Sequence, residues 1–171
     1  MNMKSISIIL VIVIAAISRF IPHPPNFTPI IAMGLFSGFC IKNKTIAILL
    51  PIMAMFFSDL FLGFHLTIYW VYGSLVIATI LGMLLIKGIN MKSFLISSLS
   101  ASSSFFLITN FGVWLTSAYY PKTMDGLLIC YTMALPFFGN TLLGTFLYTG
   151  LLFMVYKLLR NSSLITISDS I

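Results

Sequence analysis

The residues able to do chemistry in this chain are few and widely spaced. Only Asp59, Asp125 and Asp169 are acidic, there is no Glu, and His23 and His65 are the two histidines. An acid inside an apolar run is expensive and normally paired. Arg19 is the natural partner of Asp59, either as a structural ion pair or as the floor of a site for a polar or charged ligand. His23 and His65 could contact a ligand or bind a metal, with structural hydrogen bonding the alternative for each. No metal centre is expected, because the two histidines are unlinked and Cys40 and Cys130 form no CxxC pattern. The chain has no HExxH, GxSxG or P-loop and no paired glutamates, so neither an enzyme nor a cofactor is expected. A ring of charge or a carbonyl filter, as an ion channel would need, is also missing.

What must position these residues is a set of apolar helices. The chain has 171 residues, 60% hydrophobic and 7% charged, with mean hydropathy +1.11. A soluble domain carries about 25% charged residues. Apolar runs recur at bilayer length, so the fold class expected is an all-α integral membrane protein of about six transmembrane helices. Residues 1–160 form one domain, and 161–171 a polar, flexible cytoplasmic tail. The runs predict helices over 5–20, 29–41, 45–63 (with a kink at Pro51), 67–86 and 93–109. Then come an interfacial stretch at 110–121, a short interfacial helix at 126–135 before Pro136, and a last span over 137–157. The first helix is expected to be retained rather than cleaved as a signal peptide, since ISRFIPHPP is a poor cleavage site. Thr28 reads as an N-cap with Pro29 at the first helical position. Cys40 and Cys130 fall near opposite ends of the bundle, which argues against a disulfide.

The net charge of +6 comes from basic residues set singly between apolar runs, so it points to topology rather than nucleic acid. Lys4, Lys42, Lys44, Lys87, Lys92, Lys157 and Arg160 fall on the side of the N-terminus, against Arg19 and Lys122 on the other. Positive residues favour the cytoplasmic side, so both termini are expected inside.

The outer connections are the chemically rich ones. PHPPNFTP places four prolines in eight residues, fixing a backbone shape that loses little entropy on ordering. It serves as a substrate-facing lid or as a structural connector. The candidate binding cup comprises His23, Asn26, Phe27, Asp59, Asn110, Trp114, Tyr119 and Asn140, with Phe138 as a further wall. Anchoring at the membrane interface is the competing role for Trp70, Trp114, Tyr119 and Tyr120. Gly34 and Gly38 form a GxxxG, and Ser97 with Ala101, like Ser100 with Ser104, repeats at four-residue spacing. Such faces serve internal helix packing or the docking of a membrane partner.

The segments SRFIPHPPNFTPI, PIMAMFFSDLFLG, ITNFGVWL, YYPKTMDGLLICY and LPFFGNTLLG resemble a bacterial family of small, uncharacterised membrane proteins. In size and helix count that family is similar to the substrate-binding S components of energy-coupling-factor (ECF) transporters. The resemblance implies capture of a micronutrient, vitamin-type and with cobalamin a candidate, at the outer end of a protein of the cell (inner) membrane. It also implies partners: the lipid bilayer, a small-molecule ligand, and an ECF-type energising membrane subunit with ATPases. S components often carry AxxxA in helix 1, whereas this chain has Ala15 and Ala16 without that spacing. The alternative is a non-transport membrane protein, an assembly factor or structural subunit with no small-molecule ligand.

Overall fold

The computed structural model describes residues 3–161, with side chains from Ile8 to Leu159. The side chains of Lys4 and Arg160 lie outside the described residues, as does the expected tail apart from Asn161, which closes the last helix. Six α-helices follow one another: α1 (Met3–Ile17), α2 (Ile30–Cys40), α3 (Lys44–Leu62), α4 (Ile68–Leu85), α5 (Met91–Thr116) and α6 (Met124–Asn161). A 3-10 turn at Ser18–Phe20 extends α1. No strand occurs among the described residues.

Short connections make successive helices antiparallel neighbours, so the connections gather at two ends. One end carries Lys42, Lys44, Lys87, Lys92 and Lys157. Here Asn43 caps α3 by accepting from the Ile46 amide (3.1 Å), and Asn90 caps α5 by accepting from the Ser93 amide (2.9 Å). The other end carries the proline segment, and Gly63 closes α3 there with φ +93°, a conformation that favours glycine.

The central element is α2. From Ile30 to Gly38 every residue is buried, because α2 is apolar on all sides and α1, α3, α4, α5 and α6 surround it. Its closest neighbour is α4. A Cβ on Gly38 would fall on the Thr79 carbonyl oxygen, and one on Gly82 would fall on the Leu35 carbonyl oxygen. Gly34 meets Ala78 and Leu75 on the same crossing. The GxxxG face is thus packed inside the chain, against α4. Ser37 ties α2 to α3 by donating to the Ala47 carbonyl (2.6 Å). Toward the lysine end, Phe153 packs against Phe36, Phe39 and Phe94.

The exterior is apolar. Ile14, Phe57, Leu84, Leu99, Leu143 and Leu158 are among many large side chains left exposed. Four helices, α3 to α6, are long and apolar enough to cross a membrane, while α1 and α2 are shorter. At 11 residues α2 rises about 16 Å.

Three expectations about the elements are corrected. Thr28 does not cap α2: Pro29 occupies that position with helical φ and ψ, and no side chain caps the amides. The Pro29 carbonyl itself accepts the first helical bond, from Met33 N at 2.8 Å. Second, α5 runs on to Thr116, so residues 110–116 are helix rather than an interfacial stretch. Polar residues there turn back on their own helix: Thr109 donates to Phe105 O (2.8 Å), Asn110 to Phe106 O (2.8 Å) and Thr116 to Gly112 O (2.7 Å). Third, the short helix at 126–135 and the last span are one 38-residue helix with Pro136 inside it. Apolar helices tolerate an internal proline when neighbours hold both flanks. Tyr131, before the proline, donates to Leu107 O of α5 (2.7 Å), and Phe138, after it, stacks on Phe106 of α5 at 4.8 Å.

Candidate functional site at the proline end

The 3-10 turn that extends α1 and the last turn of α3 bring Arg19 and Asp59 together. Arg19 Nη1 lies 2.9 Å from Asp59 Oδ1, with the side chains 11% and 4% exposed. The other carboxylate oxygen accepts from the Tyr72 hydroxyl of α4 at 2.9 Å. Arg19 also donates to Ser58 Oγ, and Ser58 donates to Met55 O at 2.8 Å. Three helices are therefore tied by a charge-neutral network in which both carboxylate oxygens are used. Tyr72 and Ser58 escaped the sequence reading, because a phenol or a hydroxyl at a helix end is unremarkable until a carboxylate faces it.

The proline segment is anchored on α6. Asn140 Nδ2 donates to Pro25 O at 3.0 Å, and the rings of Phe27 and Tyr148 lie 5.9 Å apart. A Cβ on Gly144 would sit 3.2 Å from Phe27 Cα, so the glycine admits the segment's backbone. Phe27 N donates to Pro24 O at 3.0 Å, closing a turn with Pro25 and Asn26 at its centre. Asn26 has φ +63°, the one positive value outside glycine among the described residues. Proline followed by a residue with positive φ is the sequence signature of a type II turn, with Asn the usual substitute for Gly. That signal stood in the PPN triplet and was missed.

His23 is half-buried beside this turn, and its Nδ1 lies 3.1 Å from Pro24 O. A carbonyl only accepts, so a hydrogen bond in this contact is donated by Nδ1. His65 is exposed in the α3–α4 connection. Among the described residues no three His, Cys, Asp or Glu come together as a metal group. Cys40 and Cys130 are both free thiols.

A third cluster closes the α5–α6 connection. Trp114 Nε1 donates to Pro121 O at 2.9 Å. Lys122 Nζ donates to the carbonyls of Trp114 and Ser117 and stands 5.9 Å from the centre of the Trp114 ring. Trp70 packs against Gly112 and meets Phe111 edge-to-face with ring centroids 5.6 Å apart, joining α4 to α5. Cys130 Sγ donates to Asn110 O at 3.4 Å. Tyr119 points away from all of this and is 83% exposed.

Residues 1–166 match the model of a family of unknown function, DUF6580. The chain belongs to DUF6580. Comparison with curated proteins and with solved structures gives no match. In this DUF6580 member the candidate residues therefore stand in three clusters at one end of the bundle. Arg19 and Asp59 form the first, His23, Asn26, Phe27 and Asn140 the second, and Asn110 and Trp114 the third, with Tyr119 on the surface. Gly34, Gly38, Ser97 and Ala101 are all buried between helices.

Proposed function

We propose that this chain is a multi-pass protein of the cell membrane with its proline end outward, and that it captures a small molecule there for import. The membrane reading rests on the apolar exterior and on the four helices of spanning length. The orientation rests on the lysines, five of which lie at the end opposite the prolines among the described side chains. On this reading the role is that of an S-component-like binding subunit, with energy supplied by an ECF-type membrane partner and its ATPases.

The observation that carries the binding role is the turn at Pro24–Phe27. It is fixed by prolines and by Asn140, yet it leaves Asn26 exposed and His23 half-buried at its edge. A prepaid backbone shape with a polar rim suits recognition. An imidazole lone pair can also ligate cobalt, which makes a cobalamin-type micronutrient one ligand to try. The test is mass spectrometry of small molecules released from protein purified in mild detergent. A ligand that is recovered from the wild type and lost in Asn26→Gly would support capture at this turn.

A second reading, a structural or assembly protein without a ligand, draws on a different observation. Asn110, Trp114 and Asn140 spend their donors on backbone carbonyls of this same chain. Recovery of no small molecule, together with stable co-purification of another membrane protein, would favour it.

A further inference from the structure

We propose that the seam where α2, α5 and α6 meet holds ordered water, bound by Ser98, Ser102 and Thr149. These hydroxyls are 0%, 0% and 1% exposed, and none has a hydrogen-bond partner among the described residues. Other buried hydroxyls of the bundle behave differently. Ser97, Ser74, Thr79, Thr141 and Thr145 each donate to a carbonyl three or four residues earlier in their own helix. Turning back in this way is the ordinary fate of such side chains in apolar helices, and the trio departs from it.

The three hydroxyls share one place. Ring stacking of Phe94 on Phe153 at 4.6 Å sets the register of antiparallel α5 and α6. Ser98 and Ser102 follow Phe94 by one and two turns on the same face, and Thr149 precedes Phe153 by one turn on its face. Thr149 thus stands at about the level of Ser98. Phe153 also touches Phe36 and Phe39 of α2 at 5.4 and 5.2 Å, so this face of α6 looks into the three-helix junction. The aromatic group around Phe153 closes the seam toward the lysine end, and Phe106 on Phe138 at 4.8 Å lies toward the proline end.

The chemistry of the seam selects the occupant. Every described charged side chain lies in a connection or in the terminal turns of a helix, so nothing at this depth could balance an ion. Three neutral hydroxyls, each a donor and an acceptor, match a water, which needs two to four polar partners. A buried hydroxyl with no partner at all is destabilising, and three in one junction call for a common partner.

The test has two arms, both on the full chain in detergent or lipid. One is a crystallographic map at a resolution that shows solvent. A peak within hydrogen-bond reach of at least two of the three hydroxyls is the expected result. An empty seam, with each hydroxyl turned onto a carbonyl of its own helix, would overturn the proposal, as would a peak that proves to be a larger solute. The other arm is thermal unfolding of Thr149→Val, which keeps the shape and removes one water ligand. A fall of about 2–4 °C in the midpoint is expected. A rise, as follows when an unpaired hydroxyl is removed from a dry seam, would overturn the proposal. Should the variant not fold, the map of the unaltered chain decides alone.

Discussion

Arg19 and Asp59 stand 2.9 Å apart at the ends of α1 and α3, and Tyr72 of α4 completes the carboxylate's second bond. Each charge is nearly buried, so each depends on the other. Removing one partner of such a pair costs about 3–5 kcal/mol, while replacing both can be near neutral. We therefore expect Asp59→Asn and Arg19→Gln each to lower the unfolding midpoint strongly in detergent, and the double variant to lower it less than the sum. Additive losses would mean that the pair is not coupled. Tyr72→Phe should cost about 1.5–3 kcal/mol, the range of a hydrogen bond to a charged group.

The α2–α4 crossing makes a sharper demand on single residues. A methyl at Gly38 or Gly82 would meet backbone of the facing helix, which cannot step aside. Gly38→Ala and Gly82→Ala are expected to abolish folding or to lower the midpoint by more than 10 °C, on the order of 3 kcal/mol or more. Gly73 in the same α4 has nothing within 4 Å of a built Cβ. Gly73→Ala should leave the midpoint unchanged or raise it, because alanine is worth about 1 kcal/mol over glycine in a helix. Equal losses at Gly38 and Gly73 would contradict the crossing.

These contrasts bear on how much could be read from the sequence. The apolar runs located all six helices, because length and hydropathy alone mark such segments. The place of α2 was not legible: a short apolar run looks the same whether it dips into lipid or sits at the centre of five helices. Pro136 and the NFGVWLT stretch were misread as breaks, since the sequence does not reveal that Tyr131 and Phe138 dock on α5 or that Thr109, Asn110 and Thr116 bond backward. Proximity of Arg19 to Asp59 could be anticipated, for a lone acid among apolar helices needs a cation. The trio Ser98, Ser102 and Thr149 could not, because serines and threonines that turn back and those that do not are identical as letters.

Orientation can be tested directly. In a background without Cys40 and Cys130, a cysteine at position 87 lies at the lysine end, and one at position 119 replaces the 83% exposed tyrosine at the proline end. With the lysines inside, an impermeant thiol reagent added to intact cells should label position 119 and not position 87. The reverse pattern would invert the proposed topology, and labelling at both would argue against insertion as described.

Asn26 separates a backbone role from a ligand role. Its φ of +63° is one that glycine adopts freely, and that other residues adopt at a cost of about 1–2 kcal/mol, reduced for Asn by its short polar side chain. If Asn26 serves only the turn, Asn26→Gly should match or exceed the wild type in stability, and Asn26→Ala should lose about 1 kcal/mol. Both variants should then bind a recovered ligand as well as their folding allows. If the amide meets the ligand, Asn26→Gly keeps the turn and the midpoint but weakens binding about tenfold or more, the equivalent of one hydrogen bond of about 1.4 kcal/mol. Measuring the midpoint and the ligand affinity of the glycine variant together therefore distinguishes the two roles. Unchanged affinity with unchanged stability would confine Asn26 to shaping the segment and shift the search for ligand contacts to His23 and Tyr119.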